Sequence, residues 1–342
     1  VIATLRRLAA RRVLAMPILP SSLLALLLAP SVTVEPPVES LPAVTPVASS
    51  GVTGELLMHA EVPSSVPQVR PRNVVVWLPP GYSDPAAVST RHPVLYMHDG
   101  QNCFDPSTAF LGREWRADEV ADRLVREGRI EPPIIVGIWN TPDRVADYTI
   151  DEDLEKDRSD RKPQGRGGRG DAYLRWIVEE LKPAIDRRYR TRPDRASTAM
   201  MGSSLGGLIS LAAAERHPEV FGRIAAVSPS LWWNEGSVIE RWRRSTPPVD
   251  RLWICMGDQE RKGLDESLRR LESAIREGGS PTAERLHAEV VAGGTHDEPS
   301  WSARLDRILI HLFPAPLPPE GSSSPPNARP GGATGETSSP AR

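Results

Sequence analysis

Gly202-Ser203-Ser204-Leu205-Gly206-Gly207 is the stretch that decides the fold. The apolar run ahead of it reads as a strand over 197–202, and the Ala/Leu-rich run behind it as a helix over 205–217. Between such elements the pattern G-x-S-x-G has a physical reason. The chain turns from strand to helix so sharply that side chains at the flanking positions would clash, and glycine relieves this. The serine at the centre is held in a strained backbone conformation with its hydroxyl above the sheet. The N-terminus of the next helix points there and favours developing negative charge. The glycine spacing selects Ser204 over Ser203 as the candidate nucleophile. The bare pattern also fits a Gly/Ser-rich turn, so its weight comes from the flanking elements.

Outward from this turn the chain alternates. Glu55 to Val62, Arg72 to Leu78, Val94 to His98 and Ile134 to Ile138 read as strands, as do Arg223 to Ser228, Leu252 to Met256 and His287 to Val291. Several are apolar throughout, as expected of strands buried on both faces. Helical periodicity marks 117–127, 172–189, 266–277 and 302–313. Strands alternating with helices predict an α/β fold, a mostly parallel central sheet covered by helices on both faces. No internal repeat is visible.

The ends differ from this core. Arg6, Arg7, Arg11 and Arg12 precede an apolar stretch from Leu14 to Pro30, and small residues follow. That order is expected of an export signal over 1–30, which places the protein in the periplasm or outside the cell with no stable membrane anchor once the signal is removed. Residues 31–53 read as a Pro-rich linker, 54–313 as the catalytic domain and 314–342 as a disordered Pro/Ser/Gly-rich tail. Residues 150–171, charged and rich in Gly and Arg, read as an excursion from the fold.

A serine hydroxyl needs a base. In this type of fold the order along the chain is Ser, acid, His. Of the downstream histidines, His217, His287 and His311 fall at or within predicted elements, whereas His296 lies in the loop Gly293-Gly294-Thr295-His296-Asp297-Glu298 after a strand. His296 is therefore the candidate base. The acid should follow an earlier strand, and Gly257-Asp258-Gln259-Glu260 offers two. Glu260 is preferred and Asp258 remains the alternative. The acid would accept the imidazole Nδ1–H and stabilise the imidazolium. An oxyanion hole needs two backbone donors, one from Leu205 and one from Gly100 or Gln101 in the loop after Val94 to His98. His98 and Asp99 precede the nucleophile and are expected to shape that loop.

The composition excludes some classes. Forty-two basic and 44 acidic side chains leave a formal net charge of −2, so no overall field attracts nucleic acid. The Arg/Gly run at 161–170 is short and lacks interleaved aromatics. Cys103 and Cys255 are expected as two independent thiols. No Cys/His cluster has metal-ligand spacing, and neither a metal nor another cofactor is implied. Nine tryptophans are present. Trp115, Trp139, Asn140, Arg144, Tyr148, Trp232, Trp233 and Asn234 are candidate substrate-wall residues, and packing of the tryptophans in the core is the equal alternative.

At these residues the chain resembles an esterase family of α/β-hydrolases. That family includes enterochelin-type siderophore esterases, feruloyl and acetylxylan esterases, S-formylglutathione hydrolases and mycolyltransferases. The resemblance runs through 94–102, 144–148, 173–189, 201–207, 228–233, 257–260 and 294–298, in family order, and covers 54–313. It implies the α/β-hydrolase fold, a triad of Ser204, Glu260 and His296, and an oxyanion hole of Gln101 and Leu205. The activity it implies is hydrolysis of a carboxylic ester through an acyl-enzyme, with a small-molecule siderophore ester or a sugar-linked ester as substrate. An intracellular S-formylglutathione hydrolase fits poorly with export. Acyl transfer on the same residues, and a non-catalytic ligand-binding module on the same fold, are the alternatives.

Overall fold

In the computed structural model the described residues are 40–47, 52–153, 166–260 and 262–316. The export signal expected over 1–30, the tail from 317 and most of the charged excursion lie outside them. The strands are β1 (Val44–Pro46), β2 (Glu55–Val62), β3 (Arg72–Leu78), β4 (Val94–His98), β5 (Ile134–Ile138), β6 (Glu152–Asp153), β7 (Arg166–Gly167), β8 (Thr198–Ser203), β9 (Arg223–Val227), β10 (Arg251–Gly257) and β11 (Leu286–Val291). Among the described residues β6 and β7 pair only with each other. The other nine form one sheet in the order β1-β2-β3-β5-β4-β8-β9-β10-β11. From β5 to β11 neighbouring strands are parallel, while β3 runs antiparallel to both β2 and β5.

The side-chain period of two divides the core between the sheet's faces. Val74 and Val76 of β3 and Tyr96 of β4 pack on one face; Val75, Trp77, Leu95 and Met97 pack on the other. The first face is covered by α3 (Gly170–Trp176), α4 (Lys182–Arg188), α5 (Leu205–Arg216), α6 (Ser237–Arg244) and α7 (Leu264–Gly278). The second is covered by α1 (Ala117–Arg126), α8 (Glu298–Ser302) and α9 (Leu305–Leu312). The short α2 (Arg144–Asp147) follows β5. Cys103 and Cys255 are both buried free thiols.

Four details depart from expectation. Within the segment read as linker, Val44–Pro46 adds an antiparallel edge strand to β2; proline is tolerated on an edge. The helix expected over 172–189 is interrupted by a π turn at Ile177–Leu181, just ahead of Pro183, which lacks an N–H and crowds the preceding turn. A separate short helix, α8, precedes the closing helix α9, and Asp297 starts it by accepting from Ser300 N–H. Helix α6, which buries Val238, Ile239 and Trp242, was not expected.

Candidate active site

β8 ends at Ser203 and α5 starts at Leu205, so Ser204 alone makes the turn. Its φ of 57° and ψ of −122° lie where L-residues are rarely found. The glycines permit this. A Cβ on Gly202 would lie 2.7 Å from the Gly206 carbonyl carbon, and one on Gly207 would lie 3.2 Å from both Gly202 O and Pro229. The turn is pinned from β9: Ser204 N–H donates to Val227 O at 3.0 Å, and Ser230 N–H to Ser204 O at 3.1 Å.

His296 reaches this serine. Its Nε2 is 3.0 Å from Ser204 Oγ, and its Nδ1 is 2.8 Å from Glu260 Oε2. An ionised carboxylate only accepts, so Nδ1 carries the proton and Nε2 is free to accept from Ser204. The imidazole is 40% exposed and the Glu260 side chain fully buried. Glu260 Oε1 accepts 2.6 Å hydrogen bonds from Ser228 Oγ and Gly257 N. Burial pushes this carboxyl up, but the hydrogen bonds from His296, Ser228 and Gly257 outweigh it and hold it below the usual carboxylate range. Asp258 is used elsewhere. It is exposed, and its Oδ1 accepts from Gly293 N at 2.8 Å, tying the acid's turn to the histidine loop. The other downstream histidines have different surroundings: His287 stacks on Trp253, His311 contacts Arg285 O, and His217 lies beside Glu219.

The loop after β4 begins with Asp99 in a left-handed conformation and continues as one 3-10 turn, Gly100–Asn102. A Cβ on Gly100 would lie 2.3 Å from the Gly137 carbonyl carbon, so glycine lets this loop rest on β5. Asp99 Oδ2 would lie 3.5 Å from a Cβ on Gly206, which puts the loop against the first turn of α5. Gln101 and Leu205 each stand in the first turn of a helical element, where N–H groups have no acceptor within the element. The Gln101 side chain accepts from Asn140 N at 3.1 Å.

His98 and Asp99 brace this loop. The Asp99 carboxylate accepts from Arg144 Nε at 2.7 Å, Arg144 Nη2 at 2.8 Å and Asn140 Nδ2 at 2.7 Å. Burial raises its pKa, but the guanidinium and these hydrogen bonds prevail and hold it below the usual range. The Asp99 N–H donates to Tyr148 Oη at 3.1 Å. His98 Nδ1 is 3.0 Å from Tyr173 Oη, and burial drives its pKa down to about 3, so it stays neutral.

These contacts correct part of the substrate wall. Trp115 is buried and stacks on Trp301 with ring centroids 6.1 Å apart. Trp233 is buried and its Nε1 donates to Asp151 O at 2.9 Å. Both are packing residues, because a tryptophan beside a loop can face inward as readily as outward. Asn140 and Arg144 direct side-chain donors at Asp99. Asn234 is half-buried in a left-handed turn, and Trp232 is the exposed member of its pair. A cleft of ≈ 420 Å³ beside Asn140 is lined by Glu61, Arg70, Asn73, Trp139 and Thr141. Sequence reasoning missed Ser228, Ser230 and Trp301. Ser230 Oγ is 3.4 Å from Ser204 Oγ, and the Trp301 ring stands edge-on to His296 at 5.0 Å. The available signal was position: Ser228 and Ser230 follow a parallel strand at the same sheet end as the other loops.

The family model described as "Putative esterase" matches residues 65–312. The chain belongs to this esterase family. The esterase is 30% identical over 220 residues to the siderophore enterobactin esterase of Emericella nidulans, covering 58% of this chain and 71% of that protein. It is 25% identical over 245 residues to an endo-1,4-beta-xylanase/feruloyl esterase of Xylanibacter ruminicola, covering 70% of this chain and 29% of that one. Its fold is similar to that of an IroE-like serine hydrolase of Shewanella oneidensis, with a TM-score of 0.57, 24% identity and coverage of 71% and 76%. The esterase is thus a carboxylic ester hydrolase on the α/β-hydrolase fold, as the strand–turn–helix at Ser204 predicts.

Proposed function

We propose that this esterase cleaves its substrate through an acyl-enzyme on Ser204, and that the substrate is a siderophore or carbohydrate-linked ester met outside the cytoplasm. Ser204 Oγ attacks the ester carbonyl while its proton passes to His296 Nε2. The carbonyl oxygen becomes an oxyanion facing the N–H groups of Leu205 and Gln101. Collapse breaks the ester C–O bond, and the leaving alkoxide takes the proton from His296. Water then attacks the acyl-enzyme, losing a proton to the same nitrogen, and the acid leaves as that proton returns to Ser204. Glu260 keeps Nδ1 protonated and stabilises the imidazolium at each stage.

The observation that carries this mechanism is the continuous path from Ser204 Oγ through His296 to a buried Glu260, with links of 3.0 and 2.8 Å. The substrate class is supported by the relatives named for siderophore and feruloyl esters. Export is supported by the order of arginines, apolar stretch and small residues at 1–30.

The test is turnover of p-nitrophenyl acetate by the wild type and Ser204→Ala. A loss of at least about a thousandfold is expected; equal rates contradict the mechanism. A panel of feruloyl, acetyl-sugar and catecholate-serine esters identifies the substrate, with one siderophore or sugar-linked class expected to dominate. N-terminal sequencing after expression with the native leader tests export.

A further inference from the structure

We propose that Ser228 is a positioning residue for Glu260, and that Trp301 acts on the acid through it. This rests on the acyl-enzyme mechanism above.

Ser228 is buried, follows β9 and has a positive φ of 45°, uncommon for a non-glycine residue. Its N–H donates to Cys255 O at 2.7 Å, which fixes it across to β10. Its hydroxyl has two neighbours: Trp301 Nε1 at 3.0 Å and Glu260 Oε1 at 2.6 Å. An indole N–H can only donate, and an ionised carboxylate can only accept. The single hydroxyl proton of Ser228 must therefore point at Glu260 while its oxygen receives the indole N–H. The direction of the chain is set by chemistry: Trp301 to Ser228 to Glu260 to His296.

This chain closes on itself. The ring of Trp301 stands edge-on to His296 with centroids 5.0 Å apart. One side chain thus borders the base directly and reaches the acid through Ser228. Oε1 of Glu260 is held by Ser228 and Gly257, leaving Oε2 to face the imidazole. Other ionisable groups nearby have their own partners. Asp258 binds Gly293, Asp297 binds Ser300, Glu298 accepts from Asn102, and Arg304 donates to Ser300; among the described residues none of these bonds Glu260 or His296.

Ser228→Ala removes one of the two donors on Oε1. The carboxylate then keeps more negative charge for the imidazolium and loses part of its orientation. The acidic limb of the kcat/KM–pH profile should move up by as much as about one unit, the scale of one charge-assisted hydrogen bond. We expect kcat to fall roughly tenfold with KM little changed, because Ser228 is buried beneath the site. Trp301→Phe keeps the ring and loses only the N–H. It should move the limb the same way by less, and add no further movement in the Ser228→Ala background. Rates are normalised to sites titrated with a serine-directed phosphonate, which separates positioning from loss of folded protein. An unchanged limb in Ser228→Ala overturns the proposal, and additive limb shifts overturn the part played by Trp301. Should Ser228→Ala fail to fold, an unchanged limb in Trp301→Phe overturns it. Ser204→Ala run alongside distinguishes the two claims: if it stays active the acyl-enzyme mechanism fails, and if it is inactive while the limbs do not move only the positioning role fails.

Discussion

Gly257 and Gly294 meet backbone to backbone: a Cβ built on Gly257 would lie 2.1 Å from the Gly294 carbonyl oxygen. Gly257 ends the strand three residues before Glu260, and Gly294 lies two residues before His296. Gln259 N–H also donates to Gly294 O at 3.0 Å. Glu260 and His296 thus share one seam. Gly257→Ala must push that seam apart. We expect kcat/KM to fall by about a hundredfold or more, because small misplacements of reacting groups are costly. The stability loss should be about 1–3 kcal/mol. Steady-state kinetics beside urea unfolding checks this, and retained activity would show that the seam does not set the geometry.

Glu260 and Asp258 separate by partner. Glu260→Gln puts an amide opposite Nδ1 and disturbs the tautomer, so kcat should drop by about 10³ to 10⁴. Asp258→Asn keeps an acceptor for Gly293 N–H and should cost a few-fold at most. Turnover of both variants decides; loss confined to Asp258→Asn contradicts the assignment.

Asp99 has Arg144 as its cation, held by two hydrogen bonds. Arg144→Ala leaves a buried carboxylate without its cation and should destabilise the protein by about 3 kcal/mol. Arg144→Lys should recover only part of this, because an ammonium cannot reproduce the fork. Activity should fall with stability, since the same loop carries Gln101. Chemical denaturation of the three proteins gives the order.

Asp118 predicts a pH dependence of stability. It is buried in α1 and accepts from Thr53 N at 2.6 Å. Burial, reinforced by Glu119, raises its pKa to about 8 against the pull of the Thr53 N–H. The folded state therefore holds a proton that the unfolded chain releases near pH 4. The stability from this group is complete below about pH 4 and lost as pH rises to about 8. Asp118→Asn should flatten the stability curve across that window and gain on the wild type towards pH 8. Parallel curves would contradict this.

Much of the fold was legible because its strands are buried on both faces and its glycines mark unavoidable contacts. Val94 to His98 and Ile134 to Ile138 need no alternation to be read as strands. Ser204 and His296 were legible for the same local reason, as each sits in a loop whose glycines have one job. Tertiary contact hid the rest. Glu260 and Asp258 lie two residues apart, and only the path of the turn decides which faces His296. Trp115, in the loop ahead of α1, and Trp301 of α8 stack from segments far apart in the chain, so no periodicity marks them. Ser228 acquires its partner only when β9 and α8 come together. The π turn before Pro183 was within reach, since proline in a helical run signals a disturbed turn.

The proposed mechanism turns on a covalent intermediate at Ser204. Acid-quenching the esterase during turnover of p-nitrophenyl acetate, followed by digestion and peptide mass analysis, tests it directly. One acetyl group per chain is expected, on the peptide that spans Ser204, and none in Ser204→Ala. Acetyl on another residue, or undiminished turnover by Ser204→Ala, would contradict it.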